Sequence, residues 1–199
     1  MNTRTLGLLG ILGSPFLAIQ LNMFGIFENS QLTSIGGLFG LIYMTGWFCS
    51  ILGLYRLNAA GNRRGRTILI IQMVLLTIGN IWNIYSIIDP NCDTTLFRIL
   101  DMLGWPLDNI FMLATGIAVV SARRLDGWKR FVPLFVGLWF PVTLIFTRML
   151  FGSSSTELFI TSLYSVIAWS LLGFVVHTSS KQEVTTFICR VKEGKGQMV

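Results

Sequence analysis

Charge is what this chain has least of. Only 12% of its 199 residues are Asp, Glu, Lys or Arg, against about 25% in a soluble domain of that size. Too few polar groups remain to cover a globule, so a soluble α-domain is not the reading to expect. Histidine is scarcer still, with His177 alone. One imidazole excludes a haem held by two histidines and a multi-histidine metal site within the chain, and a Cys/His zinc site is not expected. There are three cysteines, Cys49, Cys92 and Cys189. The topology derived below puts them in a span, an outer loop and a cytoplasmic tail, so no intrachain disulfide is expected. HExxH, GxSxG, CxxC and a phosphate-cradling Gly-Lys loop are all missing, which leaves hydrolytic, redox and nucleotide chemistry without a signature. The two-residue alternation of a membrane β-barrel is missing as well.

What is present is apolar surface in long runs. The chain is 53% hydrophobic with mean hydropathy +0.68. A hydrocarbon core of about 30 Å needs roughly 20 apolar residues in a helix. Six segments meet that length: about 5–27, 32–55, 67–88, 97–122, 131–151 and 158–178. Backbone groups in lipid are satisfied internally, so the segments read as helices. The expected fold is all-α, a six-transmembrane-helix bundle over residues 1–178 followed by a basic tail over 179–199. The tail is read as disordered, or as a short amphipathic helix around the segment VTTFICRV. Residues 1–20 resemble a secretory signal, but the apolar run continues through Phe24 to Phe27 with no small-x-small site. They are read as an uncleaved anchor.

Orientation follows from lysine and arginine. Thirteen of the 15 basic residues fall at the N-terminus, in the loops 56–66 and 123–130, and in the tail. Only Arg98 and Arg148 fall on the opposite side, with six of the nine acids: Glu28, Asp89, Asp93, Asp101, Asp108 and Glu157. The positive-inside rule then places both termini in the cytoplasm. An even number of spans requires both termini on one side, which agrees with the charges. The net charge of +6 is read as topology plus attraction to anionic lipid heads, not as a nucleic-acid footprint. Membrane lipids are the expected partners, no cofactor is expected, and the location is a bacterial inner membrane.

Two kinds of helix–helix signal appear. Gly36-x-x-x-Gly40, and Gly7, Gly10, Gly13 and Ser14, place small residues one turn apart, so helix backbones can approach closely. The expectation is packing within the chain first, and a homo-oligomer or membrane-protein interface through Gly36 and Gly40 second. Pro15, Pro133 and Pro141 predict kinks inside spans. Ser154-x-x-Glu157 predicts a capping box at the start of span six. His177, at the end of that span, is expected to complement the helix C-terminus.

The segment RILDMLGWPLDNIFML, residues 98–113, interrupts an apolar stretch with Arg98, Asp101 and Asp108. The preferred reading is a short interfacial helix over 94–103 that Gly104 ends. Trp105 then anchors at the head groups and Pro106 opens the true span. Asp108 would lie in the first turn of that span, complementing the helix dipole. The alternative is one continuous helix with both aspartates inside the membrane.

On this topology most polar side chains at bilayer depth fall in the outer half. The candidate ligand-binding residues are Gln20, Asn80, Asn83, Asp101, Asp108 and Arg148. One reading has them line an outward-facing pocket that binds or conducts a small polar or ionic ligand, as in a transporter, channel subunit or sensor. A second has them act as hydrogen-bonding glue in a non-catalytic scaffold or accessory subunit. A lipid-modifying enzyme is a third, resting only on Asp101 and Asp108. The Gly-x-Pro runs at 13–15 and 104–106, in spans of opposite direction, are also compatible with a 3+3 inverted repeat.

Overall fold

A computed structural model describes residues 2–24, 30–61, 63–89, 94–152 and 154–179. All regular structure among them is helical. The main helices are α1 (Thr3–Phe24), α2 (Ser30–Arg56), α3 (Arg63–Ile88) and α4 (Thr95–Ala122). A 3₁₀ turn, Gly127–Phe131, then leads into short pieces: α5 (Val132–Gly137), α6 (Trp139–Pro141), a π-helical stretch Val142–Thr147, and α7 (Arg148–Phe151). The last helix is α8 (Ser155–Thr178). Four stretches are long and apolar enough to cross a membrane: Thr3–Asn22, Ser34–Arg56, Arg63–Ile88 and Ser155–Thr178. Pro106–Ala122 is a shorter apolar helix. This is the build of a membrane protein. The tail expected over 179–199 lies outside the described residues beyond Ser179.

The helices close into a ring. α1 packs on α2 and α8, α2 on α3, α3 on α4, α4 on α5, and α5 returns to α8. α2 also touches α8 across the ring. The burial pattern along α3 shows how such a chain sorts its residues. Its buried positions are Gly65, Leu69, Gln72, Leu76, Gly79, Asn83 and Ser86, a run of alternating four- and three-residue steps that keeps one face toward its neighbours. Five of these seven are small or polar, while Ile70, Ile71, Val74, Ile81, Ile84 and Ile88 are exposed. Lipid tails are as apolar as isoleucine, so the aliphatic residues gain nothing by turning inward. The polar and small ones do, through hydrogen bonds and close approach.

Glycine sets the closest contacts. A Cβ added at Gly7 of α1 would lie 2.4 Å from the backbone nitrogen of His177 in α8, and one at Gly173 would lie 2.6 Å from the nitrogen of Ile11. α1 and α8 therefore touch backbone to backbone. Gly13 and Gly46 do the same between α1 and α2. Gly36 is buried, and Gly40 faces Asn83 and Gln20 within this one chain.

The prolines behave differently from one another. α1 runs through Pro15 without a break. Proline has no N–H to give to the carbonyl four residues back, which here belongs to Ile11. The Ser14 hydroxyl donates to that carbonyl at 2.8 Å, a hydroxyl compensation that membrane helices use. The fifth segment is instead broken up. Pro133 sits in the first turn of α5 and Pro141 ends α6. The π-helical turns that follow carry hydroxyl bonds from Thr143 to Trp139 and from Thr147 to Thr143.

The break expected at Gly104-Trp105-Pro106 is absent. α4 is unbroken from Thr95 to Ala122, with Pro106 inside it, so no separate interfacial helix precedes the span. A proline removes one backbone bond and strains one turn, and tertiary context outweighs that local signal. The consequence for Asp108 is large. It lies at the midpoint of a 28-residue helix and not in a first turn.

Helix ends are closed by local bonds. At the end of α2, Ala59 N–H donates to the Leu54 carbonyl and Asn58 N–H to the Tyr55 carbonyl, with Asn58 at φ 56°. This is a Schellman motif with Asn in the left-handed position. Ser154 accepts a bond from the Glu157 N–H and caps α8, as the spacing predicts. His177 lies in the last turn of α8, but its Nδ1 donates at 2.9 Å to the Arg4 carbonyl of α1. It ties two helices together from the last turn of its own.

Candidate functional site

The residues expected to share an outer pocket separate into three places. Gln20 and Asn83 come together at Gly40: a Cβ there would lie 2.3 Å from Asn83 Oδ1 and 2.9 Å from Gln20 Nε2. The absence of a Gly40 side chain leaves room for both amides, and Asn83 Oδ1 accepts no hydrogen bond there among the described residues. Asn80 stands one position off the buried stripe of α3, half-buried, with the Thr45 hydroxyl donating to it at 3.5 Å. Asp108 lies elsewhere, against the middle of α3. The side chains of Asp101 and Arg148 lie outside the described residues. Their backbones fall within α4 for Asp101 and at the start of α7, which packs on α8, for Arg148.

Asp108 is fully buried. Gln72 Nε2 donates both to its carboxylate Oδ1 and to its backbone carbonyl, each at 3.1 Å. Gly79 lies about two turns further along α3, and a Cβ there would approach Asp108 Oδ2 to 3.4 Å and the Met44 sulfur to 2.6 Å. The carboxylate thus sits between Gln72 and Gly79, where a larger residue at 79 would crowd it. Its own helix continues the polar seam, with Met112 and Thr115 also fully buried. Spacings of four and three place both on the same face as Asp108. Tyr43 of α2 is buried and near enough to interact electrostatically with Asp108.

Several polar atoms here find no hydrogen-bond partner among the described residues. They include Asp108 Oδ2, Gln72 Oε1 and Thr115 Oγ1. Buried polar atoms are usually paired, so each orphan needs a reason. Asp108 Oδ2 and Gln72 Oε1 are acceptors on side chains joined by one hydrogen bond. What they lack is a donor or a positive charge.

No family model, curated protein or solved structure matches the chain. The site therefore stands on its own geometry.

Beside it runs an aromatic core. Trp169 of α8 packs at centroid distances of 5.2 Å on Trp47, 5.5 Å on Tyr43 and 5.6 Å on Trp139, all edge-on. Trp139 Nε1 donates to Ser165 at 2.7 Å, and Ser165 donates to the Thr161 carbonyl. Tyr43 belongs to this cluster and also feels the charge of Asp108. The remaining polar pairs join helices. Asn22 donates to Ser162 at 2.9 Å, and Ser170 meets Ser14 at 2.6 Å. Both pairs connect α1 to α8.

Sequence reasoning missed Tyr43, Thr115 and the aromatic core, and it left Gln72 out of the candidate site. A usable signal existed. Gln72, Gly79 and Asn83 share one stripe of α3, and Asp108, Met112 and Thr115 share one of α4. Treating residues 104–106 as a helix start moved Asp108 to the rim and hid the facing of these stripes.

Proposed function

We propose that the chain crosses the membrane six times with both termini cytoplasmic, as a small transporter or channel subunit that carries a proton or small monovalent cation at Asp108. The observation that carries this reading is a fully buried carboxylate with one oxygen bonded by Gln72 and the other without a partner. An ionisable group inside a membrane helix is costly and marks ion or proton paths. An unpaired buried carboxylate is stable only if it takes up a proton or meets a positive charge. The neighbouring Gln72 Oε1 and Thr115 Oγ1 supply further oxygens of the kind a small hard cation takes. The count of basic residues supports the orientation, and the plasma membrane of a bacterium is the compartment this reading assumes.

The test uses purified protein in liposomes loaded with a pH-sensitive dye, driven by a potassium diffusion potential. The reading expects proton or cation-coupled pH change with wild-type protein and its loss with Asp108→Asn, which keeps the shape of the side chain. Equal rates for wild type, Asp108→Asn and empty liposomes would overturn it. A second reading, a non-catalytic membrane subunit acting through helix contacts, draws on the pairs Asn22–Ser162 and Ser14–Ser170, which serve packing alone. It expects no flux, with only modest stability changes on substitution, about 0.6 kcal/mol per pair.

A further inference from the structure

At the basic end of the bundle the loop after α2 folds over the junction of α3 and α4. Gly61, at φ +76°, is pressed so close that an added Cβ would lie 3.0 Å from Ala122 and 3.9 Å from Arg124 Nε. Gly65 is equally tight, its Cβ position lying 2.1 Å from the Ala60 carbonyl. These contacts hold the start of α3 and the end of α4 side by side and leave a groove of about 680 Å³ between them. Arg63, Arg64 and Arg124 line it, with Ser121, Ile68 and Ala118. Among the described residues no acidic one does.

The three guanidinium groups make no hydrogen bond or ion pair among the described residues. Their neighbour Arg66 differs. It bonds the Tyr55 hydroxyl at 2.7 Å and lies 4.8 Å from that ring's centroid, so it is already engaged on the other side of Arg63. Three unengaged arginines converge on one groove with a hydroxyl at its wall.

We propose that this groove binds the phosphate head of an anionic phospholipid, gripped by Arg63, Arg64 and Arg124. Guanidinium groups match phosphate oxygens in fork geometry. Basic pockets between membrane helices on the cytoplasmic side hold lipid heads in this way. The occupant is a lipid and not free phosphate because the wall of the groove changes character along its length. Past the arginines come Ile68 and Ala118. The adjoining outer surface carries Ile71 and Ile117, 37% and 53% exposed, one helical turn from Ile68 and Ser121 respectively. A phosphate at the arginines leaves acyl chains lying against these residues. The inference rests on the orientation proposed above and is independent of ion passage at Asp108.

The experiment measures thermal unfolding of the full chain in neutral detergent, with phosphatidylglycerol, phosphatidylcholine or inorganic phosphate added. Native mass spectrometry counts bound lipid. Phosphatidylglycerol should raise the midpoint and remain bound, and the other two should not. Arg63→Gln/Arg64→Gln/Arg124→Gln should weaken phosphatidylglycerol binding by about tenfold or more, since each basic residue near the head group contributes measurably. A control with the same charge loss on the same face, Arg4→Gln/Arg190→Gln/Lys192→Gln, should bind as the wild type does. The single Arg124→Gln variant should lose part of the binding and guards against misfolding of the triple variant. Asp108→Asn should keep the lipid response, which separates this inference from the transport reading. Equal stabilisation by inorganic phosphate would make the site a soluble-phosphate site and overturn the lipid assignment. Equal loss in the control, or no response to phosphatidylglycerol, would overturn the groove itself.

Discussion

Substitution at Gly173 sets two effects against each other, and the structure says which wins. In an exposed helix, Gly→Ala stabilises by about 1 kcal/mol through backbone entropy. At Gly173 the new methyl would lie 2.6 Å from the Ile11 nitrogen and 2.8 Å from the Gly7 carbonyl oxygen. Both are backbone atoms of α1, which no rotamer change can move. Ordinary contact needs about 3.5 Å, so α1 and α8 must separate by roughly 0.9 Å along this seam. A gap of that size forfeits about a quarter to a half of each dispersion contact it opens. With some 30 heavy-atom pairs at about 0.15 kcal/mol each, the loss is about 1–2 kcal/mol, before strain in the Ser14–Ser170 bond on the same seam is counted. Overpacking in cores costs about 1–3 kcal/mol. The net expectation for Gly173→Ala is destabilisation by about 1 kcal/mol, read as a fall of several degrees in the unfolding midpoint by tryptophan fluorescence in detergent. Gly7→Ala should do the same, because its Cβ would meet the His177 nitrogen at 2.4 Å. The double variant should cost clearly less than the sum, since one separation accommodates both methyls. A rise in midpoint for either single variant, or full additivity, would refute backbone-to-backbone packing of α1 on α8.

Four further outcomes are expected. Ser14→Ala should cost about 1 kcal/mol, and much less in a Pro15→Ala background, where a restored N–H bonds the Ile11 carbonyl; an equal cost in both backgrounds would contradict the compensation. Arg123 sits at φ +50° just past α4, so Arg123→Gly should raise stability by about 1 kcal/mol, and a loss would show that the side chain makes a contact outweighing the strain. Trp139→Phe should lower the unfolding midpoint by about 1 kcal/mol equivalent through loss of the bond to Ser165, whereas an unchanged midpoint would place that bond outside the energetics of the core. In intact cells Cys92 should react with a membrane-impermeant thiol reagent and Cys189 should not, and the reverse pattern would invert the orientation.

How far the sequence could be read depended on the length scale of each signal. The long apolar runs mark α1, α2, α3 and α8 because span length is a property of some 20 residues, and no single substitution hides it. The Ser154 cap was legible because it needs only four consecutive residues. Pro106 misled for the opposite reason. Locally it is a good first helical residue, and only packing on α3 shows that it lies within a helix. Misplacing that boundary shifted Asp108 from the middle of α4 to a rim. The pairing of Gln72 with Asp108 depends on helices α3 and α4 meeting at one register, which spacing within either helix does not specify. The aromatic core joins residues more than 90 positions apart, from Tyr43 and Trp47 to Trp139 and Trp169, and nothing in a single helix announces it. Gln20 and Asn83 were singled out from sequence as amides at bilayer depth. That both lie beside Gly40 follows from a glycine that sequence reading assigned to helix packing.

The central claim is that Asp108 takes and releases a positive charge inside the bundle. It is tested most directly by labelling reconstituted protein with a hydrophobic carbodiimide, which modifies protonated carboxyl groups that aqueous reagents do not reach, and mapping the adduct by peptide mass spectrometry. The account predicts an adduct at Asp108 that forms more slowly as pH is raised, or when sodium, potassium or methylammonium is added at fixed pH. It is contradicted if Asp108 stays unmodified in every condition, or if it is modified at a rate that neither pH nor these cations change.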